Sequence, residues 1–175
     1  MRYFKNIVVF FFILFIPMKN KLFASDIYFI DYSKVMNEST AGKKAQNYLK
    51  NLLTSSNKKF NDTAKKLKDE ENKIIAQKNA LSKEEYKKKA DALRKKVFEL
   101  NKARDNLIRD VAAKRKKAGD EMLKKLNPIL GKYMEENNIS VVIDKKNVLM
   151  GNKKFEITTQ IIEILNKQFK SINLN

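Results

Sequence analysis

The chain has 175 residues, of which 38 are basic and 20 acidic, and its formal net charge is +18. It contains neither cysteine nor histidine, which excludes a disulfide scaffold, a Ser-His or Cys-His catalytic pair and an imidazole metal site. We therefore expect a single-domain protein that is not an enzyme, needs no cofactor or metal, and meets an anionic partner.

The first 24 residues have the pattern of a secretory signal peptide. Arg2 and Lys5 give a positive start, residues 7–16 are all apolar, and Ala24 is a small residue before the predicted cleavage point. The apolar run is short for a membrane span, and an uncleaved anchor is the alternative interpretation. The pattern predicts an exported protein.

A short strand and a short helical turn follow the signal peptide. Residues 26–31 are apolar at nearly every position, which predicts a strand that is buried on both faces or lies at an interface. Residues 32–37 are predicted to form a helical turn. Ser39 is a favourable N-cap for the helix that comes next.

Residues 40–127, which we call the arm, are predicted to form a long helical hairpin. Between Ala41 and Leu81 apolar or small residues recur every three or four positions, which is the period of one helix face. A helix of about 40 residues is about 60 Å long, too long for an ordinary globular core. The arm must therefore project from the rest of the molecule.

The second helix of the arm begins after a predicted turn at residues 80–82. Ser82 and Glu85 have the spacing of a capping box, and the apolar stripe that follows has coiled-coil spacing as far as Lys114. Two such helices joined by a turn of two or three residues run antiparallel and pack together. Polar residues and alanine interrupt both stripes, so we expect the arm to be marginally stable and easily bent.

The positive charge is concentrated on the arm. Residues 41–127 hold 26 basic and 12 acidic residues, and their net charge of +14 equals that of the whole chain without residues 1–24. Part of this is an ordinary solvated face, but +14 exceeds what solubility requires and indicates long-range attraction of an anionic partner. We predict a diffuse binding surface of apolar residues near the tip and basic clusters along the helices: Ile75, Leu81, Lys87, Lys88, Lys89, Lys95, Lys96, Lys114, Arg115, Lys116 and Lys117.

Residues 25–39 and 128–175 are predicted to form a small unit that we call the body. Pro128 is expected to kink the returning helix, whose pattern ends near Asn137. Residues 139–143 and 148–150 are predicted strands, and Thr158 or Thr159 is expected to cap a last amphipathic helix. About three short strands and one helix make a small core with open sheet edges, so we expect an oligomer that closes the sheet between subunits.

The expected fold class is α+β, with a long antiparallel helical hairpin on a small β-rich body. Three segments near the ends of the exported chain add to this prediction. They are IYFIDYSKVMNESTAGKKAQ at residues 27–46, ISVVIDKKNVLM at residues 139–150 and EIT at residues 156–158. In combination they resemble the Skp (OmpH-like) family of periplasmic chaperones, although that family often has aspartate at the position of Glu156.

The resemblance implies a function and an assembly. Such proteins are trimers in which strands of three subunits build the body, and three arms enclose a cavity for unfolded outer-membrane β-barrel proteins. The cavity protects these clients from aggregation in the periplasm without ATP. The positions that match the family's body, to which the trimer contact is assigned, are Ile27, Phe29, Val141, Ile143 and Val148.

Other functions remain open at this stage. A structural coiled-coil spacer of the cell envelope would have the same long helices. An anionic membrane or lipopolysaccharide surface is a further candidate partner, although no residue set matches a lipopolysaccharide site. A nucleic acid is disfavoured as the physiological partner, because the chain is expected to be exported and its arm has few aromatic side chains for base stacking.

Overall fold

The computed structural model describes residues 26–174, so the predicted signal peptide lies outside the described residues. The elements in chain order are β1 (Ile27–Ile30), α1 (Tyr32–Glu38), α2 (Thr40–Ala76), α3 (Lys83–Glu136), β2 (Val141–Asp144) and α4 (Thr158–Gln168). Two 3-10 turns, Lys145–Asn147 and Lys153–Phe155, lie between β2 and α4. The predicted α+β class and the helical hairpin are both confirmed.

The helices of the arm begin at the predicted caps. The Ser39 side chain accepts a hydrogen bond of 3.1 Å from the backbone N–H of Gly42 at the start of α2. At the start of α3, Ser82 and Glu85 form both bonds of the predicted capping box. At about 1.5 Å per residue, α2 is about 55 Å long and α3 about 80 Å.

The turn at the tip is longer than predicted. It covers residues 77–82, because α2 ends at Ala76 and unwinds through successive tight turns. The backbone N–H of Lys78 donates to the carbonyl of Ile75, and the N–H of Ala80 donates to that of Gln77. Residues 77–79, where the helix ends, are Gln, Lys and Asn and offer no apolar side chain to continue the packed face.

The packing between α2 and α3 is thin over most of the arm. In α2, all of whose residues are described, nothing between Leu49 and Ile74 is buried. In α3 the buried residues from the tip downward begin with Leu100 and continue with Val111. The predicted scarcity of packing along the arm is therefore present in the structure.

Pro128 does not end the returning helix. α3 continues through it to Glu136, although proline removes one backbone hydrogen bond. Asn137 is the C-cap, and Asn138 after it has a φ of 55° in the left-handed region that asparagine tolerates better than most residues. The N–H of Ile139 then donates to the carbonyl of Met134 at 2.9 Å, which closes a Schellman motif.

Among residues 26–174 the sheet is parallel and has two strands rather than about three. Ile27 pairs with Val141, and the register continues to Ile30 and Asp144. The predicted strand at residues 148–150 is wrong, because those residues form a bend. The other edge of β1 is instead occupied near Glu156, which forms a single bridge with Phe29.

The predicted cap of the last helix is also wrong. Ile157 is the N-cap of α4 and makes no side-chain capping bond. The Thr158 hydroxyl is buried and accepts a hydrogen bond of 2.9 Å from the backbone N–H of Asp31, while it donates to the Glu156 carboxylate at 3.1 Å. Thr158 therefore joins α4 to the end of β1 instead of capping its own helix.

The body core lies where β1, α1 and α4 meet the lower end of α3. Its side chains are mostly aliphatic, and the most deeply buried are Val35, Met122, Leu126, Ile161 and Leu165. The Tyr32 hydroxyl donates to the carbonyl of Gly119 at 3.1 Å, and burial, with the nearby Asp120 carboxylate, raises the pKa of Tyr32. These contacts fix the arm to the body.

Candidate functional site

The predicted basic residues are spread along α3 rather than gathered into one pocket. Lys87, Lys88, Lys95 and Arg115 are exposed and make no hydrogen bond or ion pair with another described residue. Their charges are fully available to a partner. Lys117 is also exposed, and it has a partner within the structure.

The other predicted basic residues have partners that support the arm itself. Lys96 crosses the hairpin to both carboxylate oxygens of Glu70, at 2.6 and 2.8 Å. Lys89 donates to the side chain of Gln77 at 3.0 Å, and Lys116 pairs with Asp120 at 2.7 Å. The amine of Lys114 is partly buried and donates to the carbonyl of Leu174 at 2.6 Å. These four lysines therefore stabilise contacts within the chain, whether or not they also contact a partner.

The arm exposes large apolar side chains between the basic ones. Ile75 near the tip is 55% exposed, as predicted for a contact residue, whereas Leu81 is half-buried. Five further exposed side chains of the arm are not among the predicted binding residues, although those off the helical stripe could have been found by their position. They are Tyr48 at 40%, Val97 at 41%, Phe98 at 63%, Ile108 at 65% and Leu123 at 43% exposure.

A groove of about 470 Å³ lies beside the packing of the two helices, halfway along the arm. We call it the mid-arm groove. Ala64 of α2 is too short to fill the space opposite α3. Charged side chains of both signs border the apolar floor. The lining residues are Ala64, Leu67, Lys68, Glu71, Leu93, Arg94, Val97, Leu100, Asn101 and Arg104.

The predicted oligomer residues occupy different environments in the body. Ile27 is 57% and Val141 44% exposed, and they are paired at the start of the sheet. Ile143 and Val148 are half-buried, while Phe29 is buried within its own subunit. Ile27 and Val141 are thus an exposed pair, whereas the other three residues already pack within their own subunit.

Two further apolar residues of the body are almost completely exposed, since no other described residue packs over them. Leu149 and Met150 lie in the bend after the 3-10 turn, with relative exposures of 104% and 92%. Both residues belong to the predicted strand 148–150, of which only Val148 was expected to contact another subunit. β2 also pairs only with β1 in the described part of the chain, so its second edge is open.

Within residues 26–174 no group of three or more histidine, cysteine, aspartate or glutamate side chains is placed to hold a metal ion. In the same residues, no helix has both the length and the apolar character required to cross a bilayer.

This geometry defines a class of protein in which a basic helical hairpin projects from a small body with a parallel sheet. The sequence matches the family described as outer membrane protein (OmpH-like) over residues 26–165, and the chain belongs to that family. The resemblance seen at the ends of the chain is thereby confirmed.

A crystal structure from Caulobacter crescentus CB15, of a candidate outer membrane chaperone (OmpH-like), is similar to this fold with a TM-score of 0.77. The sequence identity is 19%, and the match covers 84% of this chain and 87% of that chain. No curated protein gives a significant match to the sequence. The two proteins share the fold.

Proposed function

We propose that this protein is an ATP-independent holdase chaperone of the periplasm that binds unfolded outer-membrane β-barrel proteins between its arms. The observation that carries the proposal is the arm itself. It bears the whole positive excess of the exported chain, and large apolar side chains lie exposed among the charges. Membership of the OmpH-like family and the chaperone description of the Caulobacter neighbour support the same function.

An arm of this kind suits a client without a fixed shape. Each exposed ion pair contributes about 0–1 kcal/mol, and each buried methylene group about 0.8 kcal/mol. Many such contacts hold an unfolded chain while every single contact can exchange quickly. Release then needs only competition from the next binding partner, which fits a compartment without ATP.

The thin packing of the arm supports adaptation to clients of different size. Few buried side chains connect α2 and α3 between Leu49 and Ile74, so bending costs little packing energy. The mid-arm groove adds apolar surface that an unfolded segment can cover. Binding would therefore be spread along the arm.

We also propose that three subunits assemble through the body. The open edge of β2, the exposed pair Ile27 and Val141, and the uncovered Leu149 and Met150 are all on the small sheet unit. Apolar side chains this exposed are characteristic of an interaction surface when they are grouped. Three arms held by a common body would enclose the cavity for the client.

Dilution of a urea-unfolded β-barrel protein into buffer tests the function. Light scattering by the aggregating barrel should fall as the protein is added and should be suppressed at about one oligomer per client. A coiled-coil spacer would leave the scattering unchanged, and that outcome would refute the proposal. Native mass spectrometry of the same mixture reports the subunit number and client capture together.

The body contact is tested by replacing both Leu149 and Met150 with serine. The double variant should dissociate at concentrations where the unmodified protein is a trimer, because the apolar cover between subunits is lost. Replacement of Phe98 and Ile108 by serine is the matched control, since these residues are comparably apolar but lie on the arm. Equal subunit numbers for both variants would contradict the assigned contact.

A further inference from the structure

Residues 169–174 run from the end of α4 along the lower part of the arm, and we call this segment the strap. Phe169 lies beside Lys125 of α3, with the amine 5.8 Å from the ring centre. Leu174 lies eleven positions up the same helix, where the Lys114 amine donates to its carbonyl at 2.6 Å. Eleven helical residues rise about 16 Å, which is the span of five residues in an extended chain. The strap thus runs lengthwise beside α3.

The last three described residues of the strap place their side chains as a β-strand does. Leu174 is 5% exposed and Ile172 is half-buried, while Asn173 between them is exposed. The two apolar side chains thus lie at alternate positions on the buried side, whereas Phe169 packs against the body core outside this alternation. The strap has no regular secondary structure, and it lies outside residues 26–165 that match the family.

A groove at the root of the arm receives the strap. Ala45 and Leu49 of α2 and Val111 and Ala118 of α3 form one buried cluster with Leu174. The two alanines leave room between the helices for an inserted leucine. Lys114 stands at the edge of this root groove and supplies a charged donor for a backbone carbonyl.

We propose that the root groove is a binding site for an extended polypeptide with apolar side chains at alternate positions, and that the strap is its built-in occupant. The ligand class rests on the proposed holdase function, because strands of a β-barrel carry such alternation when unfolded. A client segment displaces the strap and takes its place under Lys114. The strap thereby keeps the groove covered until a client is present.

The recognition elements do not depend on a particular sequence. Lys114 bonds to a backbone carbonyl, which every segment carries, and the groove accepts a leucine without a polar partner. Specificity then comes from the alternation alone, because two adjacent apolar residues of an extended chain cannot both face the groove. The root groove therefore prefers segments in which apolar and polar residues alternate, which is the pattern of a barrel strand and distinguishes it from other unfolded segments.

Two variants of the full chain test this proposal. Leu174→Asn removes the buried side chain of the strap, whereas Ser171→Asn places the same residue at an exposed position of the strap. The probe is a labelled peptide in which valine alternates with serine, and fluorescence anisotropy gives its Kd. If the strap covers the groove about nine-tenths of the time, Leu174→Asn should bind about tenfold more tightly than Ser171→Asn.

Competition locates the probe. An unlabelled peptide with the sequence of residues 169–175 should displace the alternating peptide from Leu174→Asn, and a peptide with its valines adjacent should bind poorly. Equal Kd values for the two variants, or no displacement by the strap peptide, would overturn the proposal. Circular dichroism of both variants shows whether the helices are intact.

A locked strap provides a second test that does not depend on the stability of Leu174→Asn. The chain has no cysteine, so Ala45→Cys with Leu174→Cys can be bridged selectively by a short bis-maleimide. Bridging should reduce binding of the alternating peptide relative to the same protein before bridging, and unchanged binding would overturn the proposal. Suppression of barrel aggregation is measured separately, so failure of the holdase function is distinguishable from failure of the groove.

Discussion

Gly42 shows how one residue sets the direction in which the arm leaves the body. A Cβ at this position would lie 2.0 Å from the carbonyl oxygen of Met36, which belongs to the preceding helix α1. The backbone of α2 can approach α1 this closely only because glycine has no side chain. The close approach also brings the Gly42 N–H within reach of the buried Ser39 side chain.

Gly42→Ala is therefore expected to lower the free energy of unfolding by about 2–3 kcal/mol or more, because backbone must move to relieve the clash. Gly131→Ala is the matched control. Gly131 lies within α3, nothing stands within 4 Å of an added Cβ, and alanine there should stabilise by about 0.5–1 kcal/mol. Urea unfolding followed by circular dichroism measures both, and equal effects would contradict the steric argument.

Glu85 makes the tip of the arm sensitive to acid. Hydrogen bonds from the side chain and then the backbone of Ser82 hold the pKa of Glu85 below its ordinary value. A carboxylate with a lowered folded pKa stabilises the capped tip above its unfolded pKa, and this contribution is lost as the pH falls through the folded pKa. The amide resonances near Ser82 should report this loss as the pH is lowered below the ordinary pKa of a glutamate side chain.

Glu85→Gln is the control for that titration. Glutamine can still accept from the Ser82 N–H in a capping box, but it does not ionise in this range. The tip amides of the variant should keep their positions while those of the unmodified protein shift. A shift of equal size in both proteins would assign the titration to another group.

Residue-level prediction from sequence succeeded where the partners are local. The caps at Ser39 and Ser82 were predicted because each bonds to a backbone N–H three residues ahead. Thr158 has the same residue chemistry, but its partner Asp31 is 127 positions away. No local pattern reveals such a bond, so Thr158 was predicted as a cap and is instead a tertiary contact.

At the scale of elements, the mid-arm groove lies in the stretch of α2 in which no residue is buried. Ala64→Leu should fill part of it and stabilise the arm locally by about 1 kcal/mol. Hydrogen exchange of the amides in the surrounding turns should slow. Ala92→Leu is the control, because Ala92 is exposed on α3 and does not line the groove. Faster or unchanged exchange in Ala64→Leu would contradict the assignment of a packing defect.

Helix periodicity predicted the two long elements well and the small ones less well. The arm stripes extend over many turns, so a single polar interruption does not hide the period. The three apolar residues at positions 148–150 are too few to show a repeating period. Short apolar runs of this kind are compatible with several structures. Residues 145–147 form a 3-10 turn, and residues 148–150 join no strand although the second edge of β2 is open among the described residues.

At the scale of the whole molecule, the concentration of charge on the arm predicts salt-dependent capture of clients. A variant with Lys87, Lys88 and Lys95 changed to glutamate reduces the net charge of residues 25–175 from +14 to +8. It should suppress barrel aggregation less well at low salt, because attraction along the arm is weakened. The difference from the unmodified protein should shrink as salt is added.

The control carries the same change of charge on the body, with Lys132, Lys153 and Lys167 changed to glutamate. If location on the arm matters, this variant should retain most of its activity at low salt. Equal loss in both variants would mean that net charge alone attracts clients. If the arm variant suppressed aggregation as well as the unmodified protein at low salt, charge attraction would play no part in client capture.

The parallel pairing of β1 with β2 has a consequence for how a subunit is completed. The partner of Ile27 is Val141, so the polypeptide must travel out to the tip and return before the second strand exists. When α2 packs against α3, the start of α2 and the end of α3 come close together. The loop that must be closed to pair β1 with β2 is then much shorter than the whole hairpin. If equal lengths were removed from both helices, the two strands would still meet and the sheet could form. A chain that ended at the tip would lack β2, so β1 would have no strand to pair with.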